Sequence, residues 1–426
     1  MPWTFIKSRA LQLFKNSLIY LLSGVAGKAV PFLLLPVLTR YLTPSEFGLV
    51  AIFQLGIQLS QAVSGLSLNV NIPRYFFSRN KEEIATLIFD IYLILLSSCF
   101  LLLAILFVSV LFFDNFFGLP SRWVLALPFL AFMSMSNLLN QTLLRTMERP
   151  ISFMKYEIGL AAANFILIVL FVVFLTLSWE GQNIAVSISL IIFGILALRN
   201  IVKEGYVRVN FNFLWVRKIL SVSLPLVPHA IAGVVISVSD RFFLERIVGI
   251  DAVGVYSVGY YFGMVIMLFS DAFVKAWNPW FFKKMADPDP AGKKLIVKYT
   301  YAYIVALSIG AIFYSKVAVF ILPLVVAEAY LGAVEYIPWI CLGYVLFGVY
   351  QIFFPYFIYS GKTIRIAIAT VIAAMVNLVA NYFLIKEYGP VGAAYATILA
   401  FAVSSLIVVC MACGQVKMPW LSTDRV

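Results

Sequence analysis

Charge is what this chain lacks. Of its 426 residues only 12% are charged, against 63% hydrophobic, and the mean hydropathy is +1.00. A soluble domain carries about twice that share of charge, so a water-exposed globular surface is excluded. Soft ligands are scarce too: one histidine, His229, and four cysteines, Cys99, Cys341, Cys410 and Cys413. All four cysteines fall in apolar stretches. Cys410 and Cys413 have CxxC spacing but no histidine or carboxylate neighbours, so they read as small hydrophobes rather than a redox or metal pair. There is no Ser-His-Asp set, Walker loop, GxGxxG or HExxH, so ATP-driven chemistry by this polypeptide is not expected, and no cofactor is expected. The longest hydrophilic segments, 199–218 and 274–294, are too short to fold alone. That leaves no room for a soluble catalytic module.

What the chain has instead is long apolar runs. A bilayer span needs roughly 20 apolar residues, and about twelve stretches qualify: 17–38, 47–72, 85–113, 123–143, 157–178, 184–199, 219–239, 253–273, 295–321, 336–358, 366–385 and 391–413. They are too long and too uniformly apolar for barrel strands, so an all-α polytopic membrane protein is expected. Basic residues orient it. With the N-terminus cytoplasmic, the loops on that side hold 24 of the 31 lysines and arginines, and the opposite loops hold Arg40, Arg122, Arg241, Arg246, Lys316 and Lys386. This bias places both ends in the cytoplasm. It also accounts for the formal charge of +12 without nucleic acid as a partner. The first sixteen residues lack a signal-cleavage site and read as an amphipathic lead-in.

The chain also repeats itself. At an offset of 206 positions Gly27 matches Gly233, Arg40 matches Arg246, Gly48 matches Gly254, Pro73 matches Pro279 and Phe76 matches Phe282. A weaker echo at about 214 relates LLRTMERPISF to FIYSGKTIRIA. Internal duplication in a membrane chain is the usual architecture of an alternating-access transporter. The expected organisation is an N-terminal six-helix bundle over 1–200, a cytoplasmic linker over 201–218 and a C-terminal six-helix bundle over 219–426. Repeats that enter from the same side are related by a pseudo-two-fold axis along the membrane normal.

Polar residues inside apolar spans are the functional candidates, because charge in a bilayer is costly. Lys28 lies mid-span with no carboxylate within a turn or two, and a cavity-facing cation is expected there; a structural partner for a carboxylate on another helix is the plainer role. Pro31 and Pro36 follow it, and Pro225 and Pro228 stand in the matching span, so the first helix of each half is expected to be broken and to hinge a gate. A static packing kink competes with that reading. Asp240 and Arg241 close the seventh span, either as a gating contact or as a simple pair at the helix end. Arg74 and Lys275 stand near the inner ends of spans two and eight, with Asp271 one turn before Lys275. Gln54, Gln58 and Gln61 share one face of span two, Asn137, Asn140 and Gln141 one of span four, and Asn377 and Asn381 one of span eleven. Asp90 and Glu157 lie near span starts, where helix-end effects suffice.

Several stretches resemble one family. LLLPVLTRYLTPSEFGLVAIFQ, SVSDRFFL, GVYSVGYYFG, WNPWFFKKM and YGPVGAAYATILA look like the Wzx-type O-antigen and capsule repeat-unit flippases of the multidrug/oligosaccharidyl-lipid/polysaccharide (MOP) superfamily. The likeness covers the whole chain, and R-Y-L-x-P-x-x-F-G is its most specific part. It implies two six-helix bundles in a MATE-like V, opening alternately to each side of a bacterial inner membrane. It implies a substrate, an undecaprenyl-diphosphate-linked oligosaccharide, moved from the cytoplasmic to the periplasmic leaflet, with membrane lipid, a polysaccharide polymerase and a chain-length regulator as partners, and no enzymatic activity. Lumenal cations would stabilise a diphosphate at low dielectric, so Lys28, Arg74, Arg241, Lys275 and Gln58 are the expected substrate contacts, and Pro31, Pro36, Pro225, Pro228 and Asp240 the expected gate. Tyr256, Tyr260 and Tyr261 could face the sugar, although interfacial packing is commoner for a tyrosine. A cation-coupled multidrug antiporter of the same superfamily is the alternative; it calls for buried carboxylates, whereas the mid-span charge at Lys28 is positive. A membrane glycosyltransferase or ligase would need carboxylate clusters or a large polar loop.

Overall fold

A computed structural model describes residues 19, 30–112, 115–116, 118–286, 289–362 and 364–420. The chain divides into two compact units, Met1–Val234 and Val235–Val426. Residues 1–200 and the segment 201–218 both belong to the first.

The first unit opens on α1 (Val30–Tyr41) and α2 (Pro44–Gly65). The start of α2 follows from its sequence. Thr43 caps it: the Glu46 backbone N–H donates to the Thr43 hydroxyl at 3.4 Å, while the Glu46 carboxylate accepts from the Thr43 N–H at 2.8 Å. Pro44 takes the first helical position, where its missing N–H costs nothing. The helix stops where Leu66 and Ser67 turn left-handed, with φ of 45° and 53°. A 3₁₀ turn (Leu68–Val70) and α3 (Asn71–Phe76) follow. Next come α4 (Lys81–Phe112), the two-residue antiparallel strands β1 (Asn115–Phe116) and β2 (Leu119–Pro120), and α5 (Ser121–Thr146). Then α6 (Pro150–Ile168) widens into a π-helical end (Val169–Phe174), before α7 (Ser178–Lys203) and α8 (Phe213–Ser223). The core of this unit gathers Leu87, Ile88 and Ile91 of α4, Leu139 and Leu143 of α5, and Trp215 and Ile219 of α8. Phe100, Leu101, Ile105, Phe107, Leu111 and Phe112 on α4 are exposed apolar side chains, as a lipid-facing helix requires.

The helix α9 (Val227–Ile247) crosses the boundary between the units. The second unit continues with α10 (Ile250–Gly263), α11 (Val265–Ala286), α12 (Pro290–Val325), a 3₁₀ segment (Glu328–Glu335), α13 (Ile337–Tyr359), α14 (Ile364–Tyr388) and α15 (Pro390–Gln415). Its core sets Trp277 and Phe281 of α11 against Phe353, Tyr356 and Phe357 of α13 and Val408 and Ala412 of α15. Gly259 lets α10 approach closely: a Cβ there would sit 2.8 Å from the Ala333 carbonyl oxygen.

Eleven helices among the described residues are long and apolar enough to cross a membrane, with α8–α9 and α10–α11 each counted once. α1 is a shorter apolar helix, and most of the expected first span, 17–38, lies outside the described residues. The seventh span is interrupted near Pro225, where a break was expected, and begins earlier than expected; the eighth carries a break that was not expected. The seventh starts at Phe213 and is interrupted by a 3₁₀ turn, Leu224–Leu226, centred on Pro225, which has no N–H for the helical ladder. The eighth breaks at Met264. By contrast, α1 passes through Pro36 as one helix. No interruption appears at Pro36, while the chain before Pro31, where a break at that proline would fall, lies outside the described residues.

Candidate functional site

Within the second unit, α9 carries Ser237, Ser239, Asp240 and Arg241 within little more than one turn. Asp240 and Arg241 do not sit at a helix end, as the sequence suggested; α9 runs on to Ile247. Their side chains are 0% and 5% exposed. The Arg241 Nη1 donates to both Asp240 carboxylate oxygens, at 2.7 and 2.9 Å, and to the Ser237 carbonyl at 2.8 Å. The Arg241 backbone N–H adds a third bond to the same carboxylate at 2.9 Å. Burying two charges is costly unless the pair and its remaining hydrogen bonds are satisfied, and here the carboxylate is held three times by its neighbour.

Aromatic faces complete the surroundings of the cation. The Arg241 guanidinium lies 3.6 Å over the centroid of Tyr260 and 5.2 Å from that of Tyr256, both on α10. The Tyr344 hydroxyl, from α13, donates to the Tyr260 hydroxyl at 2.5 Å. Tyr336 stands 5.5 Å from Tyr256, centroid to centroid. The i, i+4 spacing of Tyr256 and Tyr260 puts both rings on one face of α10, turned into the unit. A planar guanidinium suits such stacking better than an ammonium.

An amide cluster adjoins the pair on α9. Ser239 donates to the Asn377 side-chain oxygen at 2.7 Å, and the Asn381 amide donates to Ser239 at 3.0 Å and to Asn377 at 3.1 Å. These groups are buried, yet among the described residues Asn377 Nδ2 and Asn381 Oδ1 have no hydrogen-bond partner. The site thus holds a caged cation with its own counter-ion, beside an amide donor and acceptor left over. The arrangement is that of a buried guanidinium met by one carboxylate and two aromatic faces.

The other expected site residues are dispersed. Lys28 lies outside the described residues. Arg74 is exposed in the last turn of α3, its guanidinium 5.8 Å from the Tyr75 ring. Lys275 is exposed on α11. Asp271, one turn earlier, accepts from the Gln351 amide at 2.7 Å. That bond belongs to a second cluster, in which Ser270 meets Tyr303 at 2.7 Å. Gln58 is exposed on α2, while Gln61 accepts from Ser134 at 2.9 Å. Pro31 lines a cavity of about 250 Å³ in the first unit with Glu157, Asn164 and Ser189. Pro36 is half-buried, whereas Pro225 and Pro228 are exposed around the interruption before and at the start of α9. Among the described residues, Asp240 and Arg241 are the pair of expected site residues that bond directly. Sequence reasoning missed Tyr344 and Tyr336, whose spacing from α9 carries no local signal, and the cavity role of Glu157. Cys410 and Cys413 are free and exposed on α15.

The sequence profile described as "Polysaccharide biosynthesis protein" matches residues 13–285, well over half the chain. The chain belongs to the polysaccharide biosynthesis protein family. An uncharacterized membrane protein of Haemophilus influenzae (strain ATCC 51907 / DSM 11121 / KW20 / Rd) is 25% identical over 373 residues, covering 86% of this chain and 89% of the relative. Among solved structures, an inward-facing multidrug resistance MATE family transporter of the MOP superfamily superposes with a TM-score of 0.68 at 15% identity, over 90% of this family member and 93% of the transporter. The lipid II flippase MurJ, in an inward closed conformation, gives a TM-score of 0.67 at 14% identity, over 94% and 86%. At such identities the likeness establishes the fold: this family member is a multi-pass, all-α membrane protein with the architecture of MOP-superfamily transporters.

Proposed function

We propose that this protein is a flippase that moves an undecaprenyl-diphosphate-linked oligosaccharide, an O-antigen or capsule repeat unit, from the cytoplasmic to the periplasmic leaflet by alternating access. It would sit in the bacterial inner membrane with both termini cytoplasmic, its repeats over 1–200 and 219–426 as working bundles, and pass its product to a polymerase and chain-length regulator. The observation that carries this reading is Arg241, a cation caged by tyrosines inside a membrane-spanning unit of a polysaccharide biosynthesis family member. A diphosphate takes up charge-assisted hydrogen bonds from a guanidinium as readily as Asp240 does, and the unpaired Asn377 and Asn381 groups suit sugar hydroxyls. A lipid II flippase with the same fold supports a lipid-linked substrate.

In this reading Lys28 and Arg241 stabilise the diphosphate, Arg74 and Lys275 attract it from the cytoplasm, and Gln58 contacts the glycan. Asp240 holds Arg241 when substrate is absent, and the helices bearing Pro31, Pro36, Pro225 and Pro228 absorb the bending of the gate. Lys28→Ala should abolish surface polysaccharide at unchanged protein level, and Lys28→Arg should retain part of it. Normal export by Lys28→Ala would overturn the role of that lysine. A null strain with intact surface polysaccharide and lost resistance to cationic drugs would replace the flippase reading with the antiporter. Cysteines placed beside Arg74 and Lys275 should label from the cytoplasm, and cysteines beside Asp240 from the periplasm. Opposite sidedness would sink both topology and gate.

A further inference from the structure

The first unit holds a constellation that the candidate site does not use, around α8. This helix is amphipathic. Trp215 and Ile219 are buried in the core, whereas Phe213, Leu214, Arg217 and Lys218 are exposed. Both its ends are tied down. The Asn212 backbone N–H donates to Asp90 at 3.4 Å, and the Asn71 amide donates to Ser223 at 2.7 Å. Asn212 also caps the helix, accepting from the N–H groups of Leu214 and Trp215 at 3.0 and 3.4 Å.

Cations converge on the buried indole. The Lys218 ammonium lies 5.0 Å from the Trp215 centroid and the Arg79 guanidinium 5.7 Å from it, with Tyr75 edge-on at 5.2 Å. The nearby carboxylates are engaged. Glu83 pairs with Arg79 at 3.5 Å, Glu82 pairs with Arg208, and Asp90 takes the Asn212 bond. Among the described residues no carboxylate pairs with Arg217 or Lys218.

Beside these charges runs an apolar groove of about 400 Å³, lined by Val216 and Leu220 of α8, Phe211 before it, and Leu93, Ser97 and Leu101 of α4. Its hydroxyls are turned away. Ser97 donates to the Leu93 carbonyl at 2.8 Å, and the neighbouring Ser98 donates to the carbonyls of Ser64 at 2.5 Å and Leu95 at 2.9 Å. The groove therefore presents mainly hydrocarbon. It lies along α4, a helix long and apolar enough to span a membrane, whose exposed side chains are apolar and suit a lipid chain. Arg217 follows Val216 and precedes Leu220 by three positions, which puts an uncompensated base within one turn of both lining residues.

We propose that α8 and α4 form a binding site for an anionic phospholipid, one acyl chain in the groove and the phosphate against Arg217 and Lys218. The occupant follows from charge and size together. Two bases without carboxylate partners attract an anionic headgroup, and 400 Å³ suits one acyl chain but is exceeded by a long polyprenyl chain. Chain burial plus basic residues is the two-part combination that holds a lipid at an interface. The site does not depend on the identity of the transported substrate.

The test is native mass spectrometry of the full-length protein in detergent, titrated with phosphatidylglycerol or with phosphatidylcholine of the same chains. Phosphatidylglycerol should bind more tightly. Arg217→Gln and Lys218→Gln should each weaken it about fivefold, the factor equivalent to roughly 1 kcal/mol per base at an anionic surface. Lys283→Gln with Lys284→Gln, a loss of two positive charges in the last turn of α11, should change nothing. Ser97→Phe, which fills the groove and leaves every charge in place, should abolish binding. Equal binding of the two lipids, or an equal loss in the α11 variant, would overturn the proposal, as would a folded Ser97→Phe that still binds. Arg217 and Lys218 are exposed, so their variants fold and decide the matter even if Ser97→Phe does not.

Discussion

Leu34 and Leu35 of α1 occupy the same places in the 206-residue repeat as Asp240 and Arg241 of α9, and all four residues are buried. One unit fills the slot with two aliphatic side chains, the other with an ion pair. The surroundings follow suit: Val50 and Gln54 on α2 stand where Tyr256 and Tyr260 stand on α10. The fold thus does not require charge at this position, since its own duplicate builds the slot from leucine. A buried pair is commonly no more stable than a hydrophobic replacement of similar volume, yet breaking it by removing one partner costs about 3–5 kcal/mol. A buried pair is thus weak evidence for stability, and whether this one serves the fold or the function is what the variants below separate.

The largest expected effect comes from making the second unit like the first. Arg241→Leu alone leaves Asp240 buried and unpaired, and should destabilise the protein by about 3–5 kcal/mol, seen as a large drop in melting temperature in detergent. Asp240→Leu with Arg241→Leu should recover most of that stability while surface polysaccharide stays absent. If the double variant exports normally, the comparison teaches nothing about function. If it melts as low as the single variant, the pair is structural after all.

The turn into the second helix of each repeat offers a smaller contrast. α2 starts 206 positions before α10, but Thr43 closes a capping box where Gly249, at φ 125°, simply turns the chain. A side chain at Gly249 meets open space, so only backbone strain opposes it. Gly249→Ala should cost about 1–3 kcal/mol, and Thr43→Ala about 1 kcal/mol, both read from melting curves. Equal and negligible losses would mean that neither turn is set by its capping residue. The smallest effect should come from Tyr344→Phe. It removes the bond to Tyr260 but keeps the ring, and should cost about 0.5–1.5 kcal/mol. Its influence on export tests whether the tyrosine cage is tuned or merely packed.

The repeat itself was legible, and its offsets reappear in the element boundaries. α2 and α10 start at Pro44 and Ile250, 206 apart, and α1 and α9 end at Tyr41 and Ile247, again 206 apart. α6 and α14 start at Pro150 and Ile364, 214 apart, as the weaker echo indicated. The capping box was written in T-P-S-E. The Asn377 and Asn381 face was visible as an i, i+4 pair, though its partner Ser239 was not. The burial of Asp240 was misjudged for a physical reason: hydropathy falls through SVSDRFFLER just as it does at a membrane edge, and only neighbouring helices reveal that these polar groups turn inward. At Pro36 the helix continues through the proline, which leaves open whether it bends there between states.

What the sequence determined by itself is whatever depends on local composition. Apolar runs of span length compel helices in lipid, because backbone groups there must bond within their own segment. The duplication and the family motifs are likewise properties of the string. What only the tertiary structure decided is which polar residues meet. Tyr344 reaches Tyr260 across 84 positions and Asn377 reaches Ser239 across 138. Whether Arg241 faces lipid, water or a cage of rings depends on how α9, α10 and α13 pack. Hydropathy is additive along the chain and can be read residue by residue, but a buried charge is tolerated only through partners brought from elsewhere. The packing of helices chooses those partners.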